Sequence, residues 1–140
     1  MKAVVLFPDA AAEACRILRA ALAARAEPYA AGATVGTNVP DARSPEDPRL
    51  PFVLVGLDGA TPAPSRLNAV VLLRISVWHA DEDQAHDLAQ LCAALLHTVG
   101  GPIIRSTRPG TGPVPGIDPD SRVPLATLTL TANIAPTPLT

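Results

Sequence analysis

RISVWHADEDQAHDLAQLCAALL, Arg74 to Leu96, decides the fold. It reads as a buried strand passing through a tight acidic turn into an amphipathic helix. The strand begins at Ala69 and ends at Trp78. Val71, Leu73, Ile75 and Val77 fall on one face; Arg74, Ser76 and Trp78 fall on the other. Asp81, Glu82 and Asp83 then offer carboxylates where a helix N-terminus has free N–H groups and partial positive charge. The helix runs over about Glu82–Val99. Leu88, Leu91, Cys92, Leu95, Leu96 and Val99 recur at helical spacing along its apolar stripe. Gly100-Gly101-Pro102 stops it.

Working outward toward the N-terminus, Asp9 is an N-cap for a helix to about Ala26, with Cys15, Leu18, Ala21 and Leu22 as its apolar stripe. Pro28 stops it. Thr34–Val39 is a short strand candidate. Pro40–Pro51 is a polar loop. Phe52–Leu57 is an apolar strand ended by the turn signal Asp58-Gly59. A further loop, Ala60–Asn68, leads into the strand at Ala69.

Toward the C-terminus, Ile103–Thr107 reads as a strand. Arg108–Arg122, RPGTGPVPGIDPDSR, reads as a long loop rich in Gly and Pro. Leu125–Ile134 alternates cleanly: Ala126, Leu128, Leu130, Ala132 and Ile134 face one way, Thr127, Thr129, Thr131 and Asn133 the other. The expectation is an α+β fold with a mainly antiparallel sheet, two helices on one face and a long hairpin near the C-terminus. Residues 1–135 form a single domain; 136–140 form a loose tail.

Composition narrows the function. The chain has 140 residues, enough for one core. Apolar residues make up 48% but aromatics only 3%, so the core is built from Leu, Val, Ile and Ala. A net charge of −2 argues against a protein whose task is gripping nucleic acid. Cys15 and Cys92 lie on apolar helical faces, as reduced core thiols do. The run AVVLF after Met1-Lys2 is too short for a signal peptide, and no stretch reaches the length of a membrane span, so a cytosolic protein is expected.

Few residues carry chemistry. HADEDQAHD, His79 to Asp87, is the one dense polar cluster. His79, Asp83 and His86 are a conceivable zinc or manganese set, but no His-x-x-x-His pair is present, and a helix cap with a solvated face explains the same residues. Prolines in GTGPVPG, Gly110–Gly116, remove N–H donors that a phosphate cradle needs. No nucleophile–base signature is evident, so an enzyme is not expected and no cofactor is assigned. Trp78 suits either packing against a loop or an interface anchor. Val70 and Leu72 share its face, which points to cover over part of it.

The segments RISVWHADEDQAHDLAQLC and IRSTRPGTGPVPGIDPDSRVPLATLTLTANI resemble those of tail terminator proteins from long-tailed (siphovirus-like) actinobacteriophages. VVLFPDAAAEACRILRAALAAR and PFVLVGLDGA fit the same pattern. The resemblance covers most of the chain apart from the register of Pro28–Pro51. It implies a homo-oligomer, a hexameric ring seated on the last ring of the major tail tube protein. The ring ends tube elongation and offers its other side to the head–tail stopper protein of the neck. DNA passes through without specific binding, and no membrane is involved. The implied location is the host cytoplasm during assembly and the virion tail or neck afterwards. The family brings no catalytic residues. By position, Trp78, Arg105, Arg108, Asp118, Asp120, Arg122, Thr127 and Thr129 are the candidate subunit or partner contacts. The alternatives are a head–tail stopper of the same connector, a small metal-dependent enzyme using His79, Asp83 and His86, and a homo-oligomeric binding module.

Overall fold

A computed structural model describes residues 5–39, 49–61, 69–99 and 101–138. The elements in chain order are β1 (Val5–Leu6), α1 (Ala10–Ala23), a 3₁₀ turn (Pro28–Ala30), β2 (Thr34–Gly36), β3 (Phe52–Thr61), β4 (Ala69–Trp78), α2 (Glu82–Thr98), β5 (Ile104–Pro109), β6 (Val114–Ile117), β7 (Pro124–Ile134) and β8 (Thr137–Pro138). The main sheet has the order β2-β3-β4-β7-β5, with β6 also paired to β7. Its pairs are antiparallel except β2–β3. The architecture is α+β, as expected.

β4 is central because its neighbours pair with it along its whole length. Leu73 lies opposite Leu130, Ile75 opposite Leu128 and Val77 opposite Ala126. On the other side Val53 meets Val77 and Val55 meets Ile75. Period-two alternation brings these residues to one face, which is buried. Both helices contribute to the same core: Ala14, Cys15 and Leu18 from α1, Ala85, Leu88, Ala89, Cys92 and Leu96 from α2. Full burial of each Leu or Ile contributes about 1.5–3 kcal/mol, so this face dominates stability.

The helix starts follow the sequence signals. Asp9 Oδ1 accepts from Ala12 N–H at 3.1 Å, and Asp81 Oδ2 accepts from Gln84 N–H at 3.0 Å. The helix ends differ. α1 stops at Ala23 rather than near Ala26 because its last turn tightens, Ala24 N–H donating to Ala21 and Arg25 N–H to Leu22. The α2 stripe is rotated from the expected one. Small Ala85 and Ala89 are buried, Leu91 and Leu95 are only partly buried, and Val99 is 39% exposed because it lies past the last turn.

Three further expectations are corrected. Asp58-Gly59 does not end β3; it forms a bulge, and the strand continues to Thr61. The strand expected over Thr34–Val39 covers only Thr34–Gly36. Thr137–Pro138, expected in a loose tail, pairs with Val5–Leu6 as a separate two-stranded sheet. The tail is led there by Ala135, whose N–H donates to the Ile103 carbonyl at 2.8 Å. Most of the expected loops Pro40–Pro51 and Ala60–Asn68 lies outside the described residues. Among the described residues, no helix is long and apolar enough to cross a membrane.

Candidate functional site

The segment read as a long loop, Arg108–Arg122, is partly strand. β5 extends to Pro109, and β6 resumes at Val114 on the same edge of β7. The two are one interrupted strand. Pro109 lies opposite Leu130 and Val114 opposite Thr127, so the bridge Gly110–Pro113 spans only two positions of β7. A bulge of this kind keeps an edge strand in the sheet while absorbing extra residues.

The bridge is pinned closely. Gly110 N–H donates to the Thr129 carbonyl at 3.0 Å, and Thr129 N–H donates to the Thr111 carbonyl at 2.8 Å. Thr111 N–H also donates to Thr129 Oγ1 at 3.0 Å, and the two threonine hydroxyls share a proton contact at 2.8 Å. The approach requires glycine. A Cβ at Gly110 would stand 2.6 Å from the Thr129 carbonyl oxygen. One at Gly112, whose φ is +88°, would stand 2.5 Å from that of Thr127. Sequence reading saw glycines in a loop; the pairing that explains them lies in a distant strand.

The true turn is Asp118–Val123. Arg122 N–H donates to the Asp118 carbonyl at 2.8 Å, and Asp118 N–H donates to the Val123 carbonyl at 3.0 Å. Arg122 takes a left-handed φ of +63° to close it. Asp118 organises the turn. Its carboxylate accepts from Asp120 N–H at 2.9 Å, from Ser121 Oγ–H at 3.0 Å and from Trp78 Nε1–H at 2.7 Å. Partial burial alone would raise its pKa, but these donors together hold it below the ordinary aspartate value.

Trp78 is therefore tied within the chain. It is only 7% exposed and its ring centroid lies 5.8 Å from that of Phe52 on β3. Of the two readings of this residue, the structure shows the packing against a loop that the first describes. A ring this buried has little surface left to offer another molecule.

The other candidate residues separate into two groups. Asp118, Asp120 and Arg122 share the turn, where Asp120 and Arg122 are exposed. Arg105 is the extra residue of the β5 bulge, and Arg108 lies opposite Thr131; both are exposed. Thr127 and Thr129 lie on the second face of β7 and are partly buried, Thr129 by its bonds to Thr111. Arg74 on the same face pairs with Asp58 at 2.9 Å. Sequence reading missed Val114 and Ile117, which are 58% and 67% exposed on β6. Their signal was faint: two branched apolar residues in a run otherwise made of Gly, Pro and polar residues.

The metal set proposed for the acidic cluster is not assembled. His79 is buried, with Nδ1 accepting from Asp81 N–H and Nε2 at 3.0 Å from the Tyr29 carbonyl. Both ring nitrogens are occupied by backbone groups, while Asp83 is exposed on the first turn of α2. An open groove of about 280 Å³ lies between α2 and the Gly110–Pro113 bridge, with Gln90, His97, Thr111 and Thr129 on its walls. His97 Nδ1 is hydrogen-bonded to Thr107 Oγ1, whose hydroxyl also lies 3.2 Å from the Leu96 carbonyl.

No protein-family model matches the chain, and no curated protein is significantly similar to it.

Proposed function

We propose that this chain is a structural subunit of a phage tail, a terminator. It assembles as a ring on the end of the tail tube, stops elongation and joins the tail to the neck. The resemblance of the Arg74–Cys92 and Ile104–Ile134 segments to tail terminators supports the identity of the assembly. The observation that carries an assembly role for this fold is the β5–β6–β7 hairpin. It is a braced sheet edge, held by the Thr111–Thr129 bonds and the Asp118 turn. It exposes Val114 and Ile117 along the same outer strand as Arg105 and Arg108. Apolar side chains on a pre-organised surface suit contact with other proteins because little entropy is lost on docking.

In this reading each subunit contributes a modest contact, and ring closure multiplies them. The docked ring hides the surface that would recruit the next tube subunit. Its free side differs, so only the neck protein binds there, and DNA passes through the lumen. The protein works in the host cytoplasm during assembly and resides in the virion afterwards.

Electron microscopy of lysates from a phage lacking this gene tests the reading. Overlong tubes without heads are the expected result. Normal-length tails beside separate heads would assign the chain to the head–tail stopper instead. Intact infectious particles would refute both.

A further inference from the structure

The outer strand of the sheet, β5 continued by β6, pairs with β7 on one side and with no described strand on the other. An open edge of this kind offers unpaired N–H and C=O groups to any extended chain. Which groups it offers follows from the bonds of β7. The Pro124 carbonyl accepts from His79 N–H, just past β4, at 3.2 Å, while Thr129 bonds through both backbone groups to Gly110 and Thr111 on the outer side. Backbone direction alternates along a strand, so Leu125, Thr127, Thr131 and Asn133 also turn their backbone groups toward the outer strand. Their partners Gly116, Val114, Arg108 and Ser106 turn inward to meet them.

The positions between them face outward: Thr107 and Pro109 on β5, Pro115 and Ile117 on β6. Proline has no N–H. Each run therefore presents one outward donor, Thr107 N–H or Ile117 N–H, and the pinned bridge Gly110–Pro113 separates the two. An added antiparallel strand needs a donor at every second residue. The bulge at Arg105 and the exposed charges of Arg105 and Arg108 obstruct pairing further. The far edge of the sheet is closed by another device. Thr34 N–H donates to the Pro51 carbonyl at 3.1 Å, so Thr34 faces β3 and Val35 faces away. The outward Val35 carbonyl is taken by Arg19 Nε–H from α1 at 2.9 Å, and β2 is only three residues long.

We infer that Pro109 and Pro115 close the outer edge to strand addition by a second copy of the chain and leave only side-chain contact there. A second copy is the partner present wherever the chain is made. Its own outer strand is the extended segment that an unguarded edge would capture. Strand addition of that kind ends in edge-to-edge aggregates, whereas a closed assembly needs contacts of fixed geometry. Val114 and Ile117 provide such a contact without backbone pairing, since both are mostly exposed beside the prolines. That last role rests on the assembly reading above; the closure of the edge does not.

The test is amide hydrogen exchange of the full chain as its concentration rises, in the native protein and in Pro109→Thr with Pro115→Thr. The double variant restores both missing donors with a residue that favours strands. Salt at about 0.5 M screens Arg105 and Arg108 in both samples. In the native protein the amides of Thr107 and Ile117 exchange at the same rate at every concentration. In the double variant they slow by roughly fivefold to tenfold at the highest concentration, the effect of one backbone bond gained at each. Sedimentation of the variant shows a matching shift to larger species. Concentration-dependent slowing of Thr107 and Ile117 in the native protein overturns the inference, whatever the variant does. So does a double variant whose core amides, such as those of Leu73 and Leu130, stay protected while its outer amides behave as in the native protein. If the double variant does not fold, each single substitution opens its own half of the edge and is read at Thr107 or Ile117 in the same way. Deletion of the gene tests the tail reading separately, and neither exchange result bears on it.

Discussion

Replacing Gly112 with alanine tests the braced edge of the hairpin. The new Cβ would lie 2.5 Å from the Thr127 carbonyl oxygen and 3.0 Å from Leu128 Cα, both backbone atoms of a central strand. Neither yields without moving β7, so the bridge must move instead. The φ of +88° adds a left-handed penalty of about 1–2 kcal/mol for an L-residue. Displacing the bridge also costs the Gly110–Thr129 and Thr129–Thr111 backbone bonds, each about 1 kcal/mol net. The expected loss is about 3–4 kcal/mol. Gly116→Ala is the control on the same edge. Its Cβ meets nothing closer than 4.0 Å, and its backbone is not left-handed. That substitution is expected to be neutral or to stabilise by about 0.5 kcal/mol, since alanine has less chain entropy to lose. The assay is urea unfolding followed by fluorescence of Trp78, the one tryptophan in the chain. With a urea slope of about 2 kcal/mol/M for a domain of this size, Gly112→Ala moves the midpoint down by roughly 1.5–2 M. Equal midpoints for Gly112→Ala and the native protein would refute the close apposition of the bridge and β7. So would a loss in Gly116→Ala as large as that in Gly112→Ala.

Trp78→Phe keeps a ring against Phe52 but removes the Nε1–H donor to Asp118, and is expected to cost about 1.5–3 kcal/mol in urea unfolding followed by far-UV circular dichroism. Asp118 has a folded pKa below its unfolded one. Its contribution is therefore present above the ordinary aspartate range and is lost as pH falls through the folded value. The acid limb of the stability–pH curve should be shallower in Trp78→Phe; an unchanged limb would deny the indole's role. Burial pushes the Cys92 thiol up to about 12 and raises that of Cys15, so neither should react with a disulfide reagent at pH 8 until the chain unfolds. Rapid labelling of the folded protein would contradict the helix packing. Val114→Ser with Ile117→Ser should leave the urea midpoint within about 0.3 M, because both side chains are mostly exposed. The same variant should lower assembly onto purified tail tubes in a sedimentation assay. Unaltered sedimentation would remove the β6 edge from the proposed contacts.

The local devices were legible in the chain itself. Asp9 and Asp81 announce helix starts because a carboxylate beside free N–H groups is a short-range interaction. The alternation of Ala69–Trp78 and Leu125–Ile134 assigns a buried face, since period two ties sequence position to sheet face. Their pairing with each other and with β3, and the α+β class, follow from those faces needing cover. Tertiary structure alone decided the rest. How Trp78 packs against the loop before β7 depended on Asp118, forty positions away. Whether Arg108–Arg122 was loop or strand depended on the open edge of β7, which supplied the hydrogen-bond partners that the Gly- and Pro-rich run lacks within itself. The α2 stripe rotated toward Ala85 and Ala89 because a helix packed on a sheet buries the residues that let the backbones approach, not only the largest apolar ones. Pattern reports what a segment can bury; what it does bury is set by the surface that it meets.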